Sequence, residues 1–237
     1  MRRKIKLGMT LILLIGVIVL SRKLSLIVTN EILETQGNVI LIDPGHGGAD
    51  PGKVGINGAL EKDINLQIAE KVKVKLEESG FQVHMTRTDD NITEGKRADL
   101  ERRIALITEI RPTLVLGIHQ NSYTDPKIRG AQVFYYSESK EAREAASIVQ
   151  EELLSVDPDN TREIKGNSSF YLLKNSSAPT IIVECGFLSN EEEANSLILN
   201  EYQEALAQAI CTGITKWLDL SENRWYNESY ENTNRKN

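Results

Sequence analysis

Two histidines and two glutamates are the residues of this chain best placed to do chemistry together. His46 stands in the run Ile42-Asp43-Pro44-Gly45-His46-Gly47-Gly48, and Glu61 closes the same glycine-rich loop. His119 follows the apolar run Leu114-Val115-Leu116-Gly117-Ile118, and Glu184 follows Thr180-Ile181-Ile182-Val183. Two imidazoles and one carboxylate make the ligand set of a catalytic zinc site, with one coordination position left for water or substrate. The remaining glutamate is then free to act as general base. Of the three histidines, His84 lies inside an alternating stretch, Phe81-Gln82-Val83-His84-Met85-Thr86, and reads as a packed or half-exposed strand residue.

Other chemistries fit these residues less well. Gly47-x-x-x-x-Gly52-Lys53 satisfies most of a phosphate-loop pattern, but Val54 stands where a hydroxyl should hold magnesium. Pro51 removes a cradling N–H, Asp50 would repel phosphate, and Gly55 and Gly58 rule out a helix directly after Lys53. A serine triad lacks its G-x-S-x-G elbow. Cys185 as a nucleophile sits beside Glu184, and an acidic neighbour raises a thiol pKa. Glu184 itself lies in the apolar setting Ile-Ile-Val-Glu-Cys-Gly-Phe, where burial is costly without a partner such as a metal-bound water.

The elements that must position these groups alternate between strand and helix. The run 39–42 reads as a buried strand ended by Asp43-Pro44-Gly45, where proline lacks a ladder N–H and glycine permits positive φ. Residues 63–79 form a helix, with Ile64, Ile68, Val72 and Leu76 repeating at i+4 and Gly80 after its end. A strand follows at 81–86, a polar loop at 87–96 and a helix at 97–110 that Pro112 stops. Residues 114–118 are a second apolar strand, 132–136 a further strand and 138–154 a helix. Residues 157–168 read as a loop, 170–173 as a short strand and 180–183 as the last apolar strand. Residues 191–218 are helical, with a break near Asn200. This alternation gives an α/β fold with a largely parallel sheet and no second domain boundary. Three continuous apolar strands are expected as central neighbours, so the residues at their C-terminal ends converge, at the edge where open α/β sheets gather ligands.

The 237 residues suffice for such a domain, and 40% hydrophobic with 26% charged residues is ordinary for a globular chain. The net charge is −6, yet the first 30 residues carry six basic side chains and no acidic one. The rest has a net charge of −12, which argues against nucleic acid as a partner. Arg2, Arg3, Lys4 and Lys6 precede an apolar run at 7–20, the pattern of a secretory signal. No clear A-x-A site follows, so residues 1–30 are expected to be a signal peptide or an N-terminal membrane anchor, with 31–37 as a tether. The body is then exported. Cys185 and Cys211 make no disulfide framework; one disulfide between them stays open, and two reduced buried thiols are the favoured reading. The polar tail from residue 220 is expected to be disordered.

Five ordered stretches narrow this further: IDPGHGGADPG at 42–52, LEKDINL at 60–66, MTR at 85–87, GIHQNS at 117–122 and VECGFLSN at 183–190. In them the sequence resembles the zinc-dependent N-acetylmuramoyl-L-alanine amidases of the amidase-3 family, over nearly the whole of residues 38–219. The resemblance implies His46, Glu61 and His119 as zinc ligands and Glu184 as the catalytic base. It also implies a six-stranded sheet with helices on both faces, and peptidoglycan as substrate, cut between the lactyl group of N-acetylmuramic acid and L-alanine. Asn121, Arg87 and Tyr171 are carried as substrate contacts. The layout, an anchor and one catalytic domain without wall-targeting repeats, is similar to the CwlD-type amidases of spore cortex maturation, whose cut precedes muramic-δ-lactam formation. Cys185 stands where a small or apolar residue is expected. A zinc peptidase of the stem peptide and an inactive wall-binding module remain as rivals, and an activating protein partner is left open.

Overall fold

The three apolar runs become three adjacent parallel strands: β1 (Val39–Pro44), β3 (Leu114–Asn121) and β6 (Thr180–Phe187). The computed structural model describes residues 39–93 and 95–234, and residue 21. The export segment and tether expected at 1–37 fall outside these, residue 21 apart. Among the described residues no helix is long and apolar enough to cross a membrane.

With β2 (Gln82–Met85), β4 (Gln132–Tyr136) and β5 (Lys165–Asn167), the strands form one six-stranded sheet in the order β2-β1-β3-β6-β4-β5. All pairs are parallel except β4 with β6. The central strands are buried on both faces, which is why they read as unbroken apolar runs rather than as alternation.

Among the described residues six helices flank the sheet: α1 (Glu61–Glu78), α2 (Lys96–Ile110), α3 (Lys140–Leu153), α4 (Tyr171–Asn175), α5 (Glu191–Leu197) and α6 (Asn200–Asn234). One face of the sheet buries Ile40, Ile42, Leu116, Ile118, Ile181 and Val183 in a core with Ile64 and Ile68 of α1, Val149 of α3 and Ile210 of α6. The other packs Leu41 and Val115 against Ile107 of α2 and Leu172 of α4. Each such aliphatic side chain, when fully buried, contributes on the order of 1.5–3 kcal/mol of transfer free energy. Helices therefore cover both faces, as expected.

The helix ends follow local chemistry. α1 closes with Gly80 at φ 90°, its N–H donating to Glu77 and that of Phe81 to Leu76, a Schellman arrangement. Ser139 caps α3 by accepting from the Ala142 N–H, and Asn190 caps α5 by accepting from Glu193.

Three local expectations are corrected. Residues 170–173 do not form a strand: Tyr171–Asn175 is a one-turn helix, and the Phe170 backbone just before it is extended. The edge strand β5 lies instead inside the stretch read as a loop. The last helix does break near Asn200, but α6 runs on to Asn234 through the polar stretch that composition alone gave as a disordered tail.

Candidate metal centre

Side chains alternate across a strand, and this alternation sorts the strand-end residues. Asp43, His119 and Glu184 share the parity of Leu41, Val115 and Ile182, which face α2 and α4. Cys185 has the opposite parity, is fully buried in the other core and has its thiol pushed up by burial. It is no nucleophile. Cys211 is likewise free and buried.

His119 is the register partner of Glu184 on β6. Just beyond, the register slips so that Asn121 faces Phe187, an irregularity of the kind that re-aims side chains at sites. His46 comes from the loop after β1 and holds φ at 62°, uncommon for a residue with a Cβ. Gly45, expected to supply that positive φ, instead supplies room: a Cβ there would lie 2.0 Å from His119 Cε1. Glu61 belongs to the first turn of α1 rather than to the loop.

Glu61 Oε1 lies 3.1 Å from His46 Nε2 and 3.1 Å from His119 Nδ1. The ligand atoms of His46, Glu61 and His119 all fall within 4.8 Å of one another. In a tetrahedral zinc site with bonds of about 2.0–2.1 Å, neighbouring ligand atoms are about 3.3 Å apart. Two imidazoles and a carboxylate at this spacing fit the ion. Burial would raise the Glu61 pKa, but hydrogen bonds from His119 and His46 outweigh it and hold the carboxyl well below the usual range. Burial would lower His46, and Glu61 with Asp50 outweighs that and raises it. Both directions record one fact, a carboxylate shared by two imidazoles.

Glu61 is itself fixed. Its Oε2 accepts from the Lys53 N–H at 2.8 Å, and its Oε1 accepts from the Gln120 N–H at 3.1 Å. Gln120 Nε2 donates to Asn65 Oδ1, and Asn65 Nδ2 donates to the Gly45 carbonyl.

Glu184 is buried beside this set, and its Oε2 has no hydrogen-bond partner among the described residues. Burial pushes its carboxyl up to about 7, with the Glu61 charge adding and His119 opposing. An unpartnered carboxyl of that pKa is suited to taking and returning a proton near neutrality. A cavity of about 340 Å³ connects Glu184, His46 and His119 to a rim formed by Lys96, Phe170 and Tyr171.

The three carried substrate contacts separate. Tyr171 is exposed and lines the cavity mouth. Asn121 ends β3 and accepts from the Ser122 N–H through Oδ1. Arg87 is corrected: it is buried, and its guanidinium donates to the carbonyls of Pro44, Gly45, Lys62 and Asp89. It ties the His46 loop to α1 and has no free face for substrate. Sequence reasoning passed over Arg103. Its guanidinium is buried, donates to Asp43 Oδ1 at 2.6 Å, to Asp99 Oδ2 at 2.8 Å and to the His46 carbonyl at 2.7 Å, and so anchors the backbone that carries His46. Only the i, i+4 spacing of Asp99 and Arg103 was visible beforehand.

Comparison with known proteins agrees with this fold. The family model of amidase-3, N-acetylmuramoyl-L-alanine amidase, matches residues 40–216. The chain therefore belongs to the amidase-3 family of N-acetylmuramoyl-L-alanine amidases, hydrolases of peptidoglycan. The germination-specific N-acetylmuramoyl-L-alanine amidase of Bacillus subtilis is 38% identical over 194 residues, covering 78% of this chain and 81% of that one. Among solved structures, the CwlD amidase of Clostridioides difficile in complex with the GerS lipoprotein is 37% identical with a TM-score of 0.75, covering 77% of this chain and 99% of that one. The amidase AmiC2 of Nostoc punctiforme is 34% identical with a TM-score of 0.70, covering 77% and 98%.

Proposed function

We propose that this amidase is zinc-dependent, with His46, Glu61 and His119 as ligands and Glu184 as its acid–base residue. The observation that carries this is a buried carboxyl, Glu184, whose Oε2 has no hydrogen-bond partner among the described residues, beside a carboxylate that two imidazoles share at 3.1 Å each. When bound, zinc supplies a lowered water pKa and polarisation of the lactyl carbonyl. Glu184 accepts a proton from the attacking water and returns it to the departing L-alanine amine, which as an anion would leave poorly. Asn65 and Gln120 hold Glu61 in place, and the rim at Tyr171 receives the glycan or peptide.

The likeness to a germination-specific amidase and to CwlD supports a place in spore cortex maturation, where stripping the peptide from muramic acid precedes muramic-δ-lactam formation. The N-terminal pattern supports export by a cleaved signal or an anchor. The C. difficile relative is described in complex with a lipoprotein, and a protein partner of that kind belongs to this reading. Mass spectrometry of muropeptides after digestion tests the substrate. Peptide-free muramic acid and stem peptides beginning at L-alanine are expected; cuts inside the stem peptide would contradict it.

A further inference from the structure

We infer that Asp50 is a positioning residue that fixes the tautomer and aim of His46, on the side of the ring away from Glu61. This rests on the zinc reading above. The two nitrogens of His46 face two different carboxylates: Nε2 lies 3.1 Å from Glu61 Oε1, and Nδ1 lies 3.0 Å from Asp50 Oδ2. Asp50 is outside the group of side chains close enough to share an ion, which comprises His46, Glu61 and His119. Its place on the opposite ring nitrogen explains why. Both nitrogens face a carboxylate, so the choice of tautomer comes with the metal: zinc on the Glu61 side takes the place of a proton on Nε2, and Nδ1 keeps its proton because the Asp50 carboxylate only accepts hydrogen bonds. The Nε2 lone pair is then directed at the metal position, the arrangement in which a carboxylate orients a metal-binding imidazole and strengthens it as a ligand.

The loop is folded to bring this contact about. Gly47 and Asp50 exchange two backbone hydrogen bonds, at 3.0 and 3.1 Å, so the chain doubles back and sets Asp50 against the ring four residues earlier. Asp50 Oδ1 accepts from the Gly52 N–H at 3.1 Å, and Oδ2 also lies 3.3 Å from Lys96 Nζ. The carboxylate is thus held from both sides. His46 needs such a hold, because its backbone sits at φ 62° and its carbonyl is pinned separately by Arg103. His119 is served differently: its ring lies over Gly45, where no Cβ intervenes.

Asp50→Asn separates positioning from loop folding. The amide keeps an oxygen for the Gly52 N–H but loses the charged acceptor facing Nδ1. Zinc affinity, read by competition with a chromophoric chelator, is expected to fall about 10–100-fold, while the urea midpoint of the metal-free protein stays at the native value. Unchanged zinc affinity in the folded variant would overturn the inference. So would a loss of affinity matched by a loss of metal-free stability, because that is the behaviour of a loop cap. Should the variant not fold, nitrogen NMR of the zinc-loaded native protein decides. A protonated Nδ1 on His46 with the metal on Nε2 is expected, and the reverse assignment refutes it. A native protein that holds no zinc would instead overturn the zinc reading on which this depends.

Discussion

His119 and Glu184 are register partners on the adjacent parallel strands β3 and β6, and both side chains rise on the α2–α4 side of the sheet. A histidine that faces the shared carboxylate and a carboxyl with an unpartnered oxygen are therefore placed together by backbone pairing alone. No loop conformation intervenes between them. Only His46 depends on a loop, and that loop is correspondingly over-determined by Arg103, Arg87 and Asp50.

Gly45 tests how tightly His119 is placed. Gly45→Ala would bring a Cβ to 2.0 Å from His119 Cε1, so the ring must move. Overpacking of this kind costs about 1–3 kcal/mol. The larger effect is expected on metal: zinc content by elemental analysis should fall well below one per chain, and turnover with it. Full zinc content in the folded variant would mean that the ring has another position from which to bind.

Asp43 makes the site's foundation sensitive to acid. Burial would raise its pKa, but the Arg103 guanidinium and the Thr86 hydroxyl, each 2.6 Å from Oδ1, outweigh it and hold the carboxyl below its ordinary 3.8. The folded state therefore binds this proton less readily than the unfolded chain. The stabilisation is fully present above the unfolded pKa of about 4 and is lost as pH falls through the lower folded value. Urea midpoints measured from about pH 6 down to pH 3 should drop more steeply for the native protein than for Asp43→Asn. That variant starts less stable, because Arg103 loses a buried charge partner. Parallel slopes would remove Asp43 from the acid transition.

The strands and the four chemical residues were legible because strands buried on both faces leave unbroken apolar runs, and a polar residue at the end of such a run stands out. The signal failed where burial is one-sided or absent. Lys165-Gly166-Asn167 is an edge strand with no apolar residue to mark it. Phe170 to Leu173 is an apolar run too short for periodicity to separate strand from helix. Arg87 carried its charge into the interior, where long-range carbonyls decide its role, and no spacing in sequence reveals those partners. Arg103 and Asp50 were hidden for the same reason: their contacts with Asp43, with the His46 carbonyl and with the His46 ring exist only once the loop is folded.

The most direct test compares Glu184→Gln with Glu61→Gln, measuring zinc content and turnover on peptidoglycan at equal folded fraction. Glu184→Gln keeps the shape but cannot take a proton. It should retain zinc while turnover falls by about 10²–10⁴-fold. Glu61→Gln weakens a carboxylate that two histidines share, so zinc and turnover should fall together. Zinc lost from Glu184→Gln and kept by Glu61→Gln would exchange the two roles, and full turnover in a zinc-loaded Glu184→Gln would contradict the mechanism.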